Sequence, residues 1–207
     1  MLASGNPGKL RELAALLAPL SLSLIPQAGL GIAAVPETGE TFLANALLKA
    51  RHASARARLA ALADDSGLEV DALGGRPGVE SARYAHPGAS DTENLERLLD
   101  ELAAVPSPER RARYQCVIVL VHGADDPQPL IARGSCEGHI ATSPRGLGGF
   151  GYDPVFVPEG SARTAAELDP AEKNAVSHRG QALRELIAML GQQGYIAAPM
   201  KRGPSAR

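Results

Sequence analysis

The run ALADDSGLEV, residues 61–70, sets two adjacent carboxylates, Asp64 and Asp65, inside a stretch otherwise apolar enough for a buried strand. Successive strand side chains point to opposite faces, so one face cannot take both acids. An anion at the margin of a core needs a partner that offsets its charge. The surrounding chain reads as two strand-like runs, AALADD and GLEVDAL, with the acid pair between them. Any fold of this chain must give these two acids something to hold.

The remaining elements follow from periodicity and caps. After the short stub MLA, SGNPGKLRELAALLAPL reads as a turn and a helix, with Asn6 as N-cap and Pro7 in the first helical position. LSLIP is expected as a short strand, GLGIAAVPETGET as a long loop, and TFLANALLKARHASARARL as a second helix. The loop GGRPGVESARYAHPGAS precedes an amphipathic helix that opens on a Ser90–Glu93 capping box. RARYQCVIVLVHG and PLIARGSCEGHIA form an antiparallel hairpin, and LDPAEKNAV carries its own cap at Asp169. SHRGQALRELIAMLG is the closing helix, expected to end at Gly191. Strands alternate with helices while the central pair is antiparallel. The expectation is an α/β fold with a mixed β-sheet flanked by helices, in two lobes around a cleft. Residues 1–191 form one domain on this reading, and residues 192–207 a mobile tail.

Composition narrows the function. A formal net charge of −2 leaves no basic surplus for wrapping nucleic acid, so no nucleic-acid partner is expected. No stretch approaches the roughly 20 apolar residues of a membrane span. MLASGNPGK lacks the basic lead-in and apolar run of a leader, so a cytoplasmic location is expected. Cys116 and Cys136 lack metal-ligand spacing and read as reduced, mostly buried thiols. Only Lys9, Lys49, Lys173 and Lys201 among the 21 basic residues are lysines. Lysine in Gly-rich or acidic surroundings suggests a compact point charge, which singles out Lys9 and Lys173. Aromatics make up only 3% of the chain, yet Phe150, Tyr152 and Phe156 crowd into GGFGYDPVF, as a stacking site would require.

Each motif has a plain structural alternative. SGNPGK joins a glycine turn, a helix N-terminus and Lys9; free N–H groups and the helix dipole favour phosphate there, or the segment is simply a well-capped helix. Leu10 follows the lysine, so this is not a P-loop. ADDSG could hold a metal or merely end a strand, GGFGYDP could be a tight turn, and SHRG an ordinary cap. Together they supply a phosphate cradle, carboxylates for a divalent cation, a stacking aromatic and donors for a base edge. That combination fits a purine nucleotide.

Five ordered blocks carry a resemblance: SGNPGK, PETGETFLANALLKA, ADDSGLEVDALGGRPGVESARY, GGFGYDPVF and AELDPAEKNAVSHRG, between Ser4 and about Leu190. In them the chain closely resembles the inosine triphosphate pyrophosphatase family. The resemblance implies hydrolysis of the deaminated purine nucleotides ITP, dITP and XTP to monophosphate and pyrophosphate, with Mg²⁺, in a homodimer. Carried onto matching positions, it makes Ser4, Gly5, Asn6, Pro7, Gly8 and Lys9 the phosphate-binding turn. It makes Glu37 a metal-associated acid, Asp65 the proton acceptor and magnesium ligand, and Ser66 a substrate contact. Phe150, Gly151, Tyr152 and Asp153 line the nucleoside pocket with Phe150 as platform, and Lys173, His178 and Arg179 complete the substrate contacts. Only Met1 to Ala3 precede the turn, so the family's first strand is expected to be short here.

On this reading Asp65 looks into the cleft, and Asp64 turns to backbone N–H groups or to a supporting side chain. Two rival functions are a pyrophosphatase for modified pyrimidine nucleotides and a nucleotide-binding module without catalysis. The Phe150 platform with SHRG speaks against the first, and intact Asp65, Glu37 and Lys9 against the second.

Overall fold

The computed structural model describes residues 1–18 and 24–196. Its backbone is a four-stranded antiparallel sheet in the order β1 (Ala61–Val70), β2 (Arg111–Val121), β3 (Leu130–Ile140) and β4 (Phe156–Pro158). The parallel component of the expected mixed sheet is confined to single bridges, from Leu2 to Leu62 and from Leu2 to Pro26. Pro26 of the expected strand LSLIP forms that bridge, and Leu22 and Ser23 lie outside the described residues. Among the described residues five helices flank the sheet: α1 (Pro7–Leu17), α2 (Phe42–Ala57), α3 (Asp91–Glu101), α4 (Pro170–Val176) and α5 (His178–Gln192).

The helix starts follow local chemistry. Asn6 Oδ1 accepts from the N–H groups of Gly8 and Lys9 at 2.8 and 3.1 Å. Ser90 with Glu93, and Asp169 with Glu172, close capping boxes on α3 and α4. The end of α5 departs from expectation. Gly191 stays inside the helix, and the chain turns at Gly194, whose φ is +75°. Tyr195 N–H reaches Leu190 O, and Gly194 N–H reaches Gly191 O. That pair of bonds is a Schellman closure, which places the left-handed residue at Gly194. The tail expected to be mobile falls largely on residues 197–207, outside the described residues.

The two strand-like runs AALADD and GLEVDAL are one strand. β1 is continuous, with Asp64 opposite Ile118 and Asp65 opposite Val117. What breaks there is the apolar packing. On one sheet face, Leu62 packs with Leu13, Ile118, Leu183 and Leu186 under α1 and α5. Further along the same face, Leu68 and Val70 pack with Leu98, Ile140 and Phe156 under α3. On the opposite face, Ala61 and Ala63 meet Ala46, Ala50 and Ala53 of α2. Residues 64–67 are the seam between the two ends of the molecule. Beside them the chain leaves β1 after Ala3, whose N–H bonds Leu62 O, and turns away at Ser4. The free edge of β1 therefore borders a cleft that side chains from both faces can reach.

Candidate active site

A cavity of about 330 Å³ fills this cleft. It is lined by Ser4, Gly5, Asn6 and Lys9 from the first turn and by Glu37, Asp65 and Ser66. Phe150, Gly151, Tyr152, Asp153, Lys173, His178 and Arg179 line it as well. Of the residues singled out from the sequence as site residues, Pro7 and Gly8 are not on its wall, and neither are Asp64 and Phe156. Gly8 lies behind it: a Cβ there would come within 2.6 Å of the Phe150 ring. A glycine at that position lets the aromatic loop rest on the first turn of α1.

The two acids point to opposite sheet faces and meet opposite sets of cations. Asp64 Oδ2 lies 3.0 Å from Lys9 Nζ and 3.4 Å from Arg179 Nε. Burial alone would raise its pKa, but Lys9 and Arg179 outweigh that and hold it well below the usual carboxylate range. Asp64 thus turns to side-chain cations, not to backbone N–H groups. A β-strand's N–H groups lie in the sheet plane, whereas its side chains project from it. The second oxygen of Asp64, Oδ1, is buried without a hydrogen-bond partner among the described residues.

Asp65 faces α2. Its Oδ1 lies 2.8 Å from Lys49 Nζ, and its Oδ2 accepts from Asn45 Nδ2 at 3.3 Å. Lys49 also bonds Glu37 Oε1 at 2.6 Å, so one ammonium is shared between Glu37 and Asp65. Burial raises the Asp65 pKa, Lys49 and Lys9 oppose this, Glu37 adds to it, and the result is a carboxyl above its ordinary value. Glu37 is held below its ordinary value, because Lys49 and other cations overcome its partial burial. Asn45 Oδ1 accepts from Gly39 N–H at 2.7 Å, which ties the loop carrying Glu37 to the same helix face.

The opposite end of the cavity is built on Asp153. Its Oδ2 accepts from Phe150 N–H at 2.8 Å and from Lys173 Nζ at 2.6 Å. Gly149, at φ +73°, leaves room for that oxygen, which a Cβ would approach to 2.1 Å. Lys173 also bonds Glu12 Oε1 at 2.6 Å, and Glu12 Oε2 receives Arg179 Nη1. Arg179 Nη2 donates to Ser66 Oγ at 2.9 Å. Lys173 Nζ and Arg179 Cζ lie 4.8 and 5.7 Å from the centre of the Phe150 ring. His178 is buried against Tyr114, and burial, then Arg179 and Lys173, push its pKa well below the usual histidine value.

Two expectations change here. The N–H groups of Gly8 and Lys9 are not free for phosphate, since Asn6 Oδ1 already accepts from both. A cap and an anion compete for the same donors. The three clustered aromatics also separate. Phe156 is 1% exposed in the core and off the cavity wall, whereas Tyr152 lines the wall with its hydroxyl bonded to Ser81 O at 2.8 Å, beside Phe150.

Lys49, Glu12, Asn45 and Tyr114 escaped the motif reading. Asn45 and Lys49 stand four apart on an alanine-lined helix face, and Lys9 and Glu12 three apart on α1. These helical spacings put each pair on one face and were the available signal. In total, Lys9, Lys49, Lys173 and Arg179 face Glu12, Glu37, Asp64, Asp65 and Asp153. The cations are already matched, so a polyanionic ligand needs further positive charge. Among the described residues no three His, Cys, Asp or Glu side chains cluster as a ready metal site. Glu37 and Asp65, which share one ammonium, are the carboxylates fitted to take a second cation.

The Ham1 family model matches residues 1–189. The chain is 56% identical over 187 residues to a dITP/XTP pyrophosphatase of Erwinia tasmaniensis, covering 90% of this chain and 91% of that protein. It is 55% identical over 190 residues to the dITP/XTP pyrophosphatase of Yersinia pseudotuberculosis, covering 92% and 96%. The structure of a HAM1 protein from Coxiella burnetii superimposes with a TM-score of 0.85 at 50% identity, over 92% of this chain and 97% of that one. The chain belongs to the Ham1 family.

Proposed function

We propose that this protein hydrolyses the deaminated purine nucleotides ITP, dITP and XTP to the monophosphate and pyrophosphate. The observation that carries the reading is the sharing of Lys49 between Glu37 and Asp65 at one end of the cavity, with Phe150, His178 and Arg179 at the other. The relatives named dITP/XTP pyrophosphatases support it.

On this reading the triphosphate lies along Ser4, Lys9 and Lys49, and the base rests on Phe150. Glu37 and Asp65 would hold Mg²⁺, which offsets phosphate charge and acidifies bound water when present. Asp65 orients a water against the α-phosphorus and takes its proton. The water oxygen bonds to the α-phosphorus as the bond to the bridging oxygen breaks, and that oxygen leaves with pyrophosphate. Ser66 holds the Arg179 guanidinium, whose N–H groups not taken by Ser66, Asp64 and Glu12 face the base edge with His178. The base sits at the end opposite Glu37 and Asp65, so its identity is read away from the reacting phosphorus.

No helix of the described residues is long and apolar enough to cross a membrane; a cytoplasmic homodimer is the proposed state, tested by light scattering. The test of function is phosphorus NMR of the products of ITP with no added pyrophosphatase. Monophosphate with intact pyrophosphate is expected; orthophosphate as the first product would overturn the mechanism.

A further inference from the structure

Tyr114 belongs to none of the sequence motifs and to none of the roles above. It stands on β2 between Leu68 of β1 and Cys136 of β3. Its ring meets Phe156 edge-on, with centroids 4.7 Å apart at 64°. Against the imidazole of His178 it lies flat, at 4.6 Å and 10°. Phe156 is part of the close-packed core, so Tyr114 carries the rigidity of that core out to a ring on the cavity wall.

His178 needs such support. It is 6% exposed and lines the cavity. Ser177 Oγ caps the start of α5, and Arg179 bonds Ser66, Asp64 and Glu12. No hydrogen bond among the described residues engages the His178 ring. The second side-chain torsion of histidine is broad when nothing fixes it. A neutral imidazole carries one donor and one acceptor, and the nitrogens of His178 open to the cavity instead of being sealed in the core. The flat face of Tyr114 is the contact that selects one ring plane.

We propose that Tyr114 is a positioning residue: by stacking on His178 it fixes the plane in which that imidazole presents its nitrogens to the base of a bound purine nucleotide. The proposal rests on His178 as a base contact. It requires an aromatic ring at position 114 and makes no use of the phenol hydroxyl, so phenylalanine serves and an aliphatic side chain does not.

The test compares Tyr114→Phe, Tyr114→Leu, His178→Ala and the Tyr114→Leu/His178→Ala double variant, with ITP as substrate. Tyr114→Phe should stay within about twofold of wild type, and Tyr114→Leu should lose about tenfold in kcat/KM, mainly through KM. The double variant should be no worse than His178→Ala, since the two residues act as one unit. Proton NMR of the His178 ring should show the upfield displacement of a stacked imidazole in wild type and Tyr114→Phe, released in Tyr114→Leu. If Tyr114→Leu unfolds, Tyr114→Met fills the volume with a flexible side chain and carries the same readouts. The proposal is overturned if the aliphatic variant keeps its kcat/KM while His178→Ala loses it. It is equally overturned if Tyr114→Leu costs a further tenfold in the His178→Ala background, because Tyr114 would then act through the fold. Full activity of His178→Ala would instead sink the base contact itself, and the NMR comparison would then judge the stack alone.

Discussion

Asp65 Oδ1 lies 2.8 Å from Lys49 Nζ, whereas its neighbour Asp64 is held on the other face of β1 by Lys9 and Arg179. Adjacent acids in one strand thus answer to different cations and carry different duties. Asp65→Asn is expected to remove most turnover with little change in the thermal midpoint. Asp64→Asn should act through stability, on the order of 3 kcal/mol, because it leaves two cations facing a buried neutral amide. Near-wild-type kcat in Asp65→Asn at saturating Mg²⁺ would remove that residue from the mechanism.

Lys49 separates two carboxylates that would otherwise repel. Replacing it by methionine keeps the stem against α2 and deletes the charge. The expected result is a kcat lower by about tenfold or more, with half-saturation at a lower Mg²⁺ concentration, since Glu37 and Asp65 are freed for the metal. Titration of activity against Mg²⁺ checks both. An unchanged kcat would make the shared ammonium merely structural.

The depressed pKa of His178 predicts a pH-dependent stability. In the unfolded chain the ring takes a proton below about 6.5; in the fold it stays neutral further down. Between these two values the unfolded state binds the extra proton, so stability is full above pH 6.5 and falls as pH drops. The loss approaches about 1.4 kcal/mol per pH unit in that window. Urea midpoints of wild type and His178→Phe at pH 7.5 and 5.5 measure it. The variant keeps a ring against Tyr114 and should show a shallower decline; equal declines would mean that His178 is not buried neutral.

The N-terminal caps were legible in the sequence because their partners lie within a few residues. Ser90 with Glu93, and Asp169 with Glu172, close as read. The acid pair was legible as a site, and the two strand-like runs read around it are one strand. The charges that let Asp64 and Asp65 remain in β1 come from Lys9, Lys49 and Arg179, on three different helices. The fate of the first turn's N–H groups was equally hidden. Asn6 can cap them or leave them to a ligand, and both uses require the same residue types. Tyr114 had no local marker, since a tyrosine in a strand looks like core until α5 lays His178 on it. The fully exposed Leu147, between Gly146 and Gly148, has no structural account.

The choice of base gives the sharpest remaining prediction. Hypoxanthine and xanthine carry a carbonyl at position 6, where adenine carries an amino group. A donor from Arg179 or His178 would pair with the carbonyl but oppose the amine, and would leave buried groups unpaired with ATP. Each such mismatch costs roughly 1–3 kcal/mol, and several acting together yield large selectivity. Guanine shares the carbonyl, so its 2-amino group must meet a further donor for GTP to be refused. The expectation is a far higher kcat/KM for ITP, dITP and XTP than for ATP or GTP. Arg179 is also bonded to Asp64, Glu12 and Ser66, so Arg179→Ala will destabilise the protein as well. The informative quantity is therefore the ratio of kcat/KM for ITP to that for ATP, which cancels the folded fraction. Loss of base reading should shrink that ratio by about tenfold or more; an unchanged ratio would assign Arg179 to phosphate or to the fold.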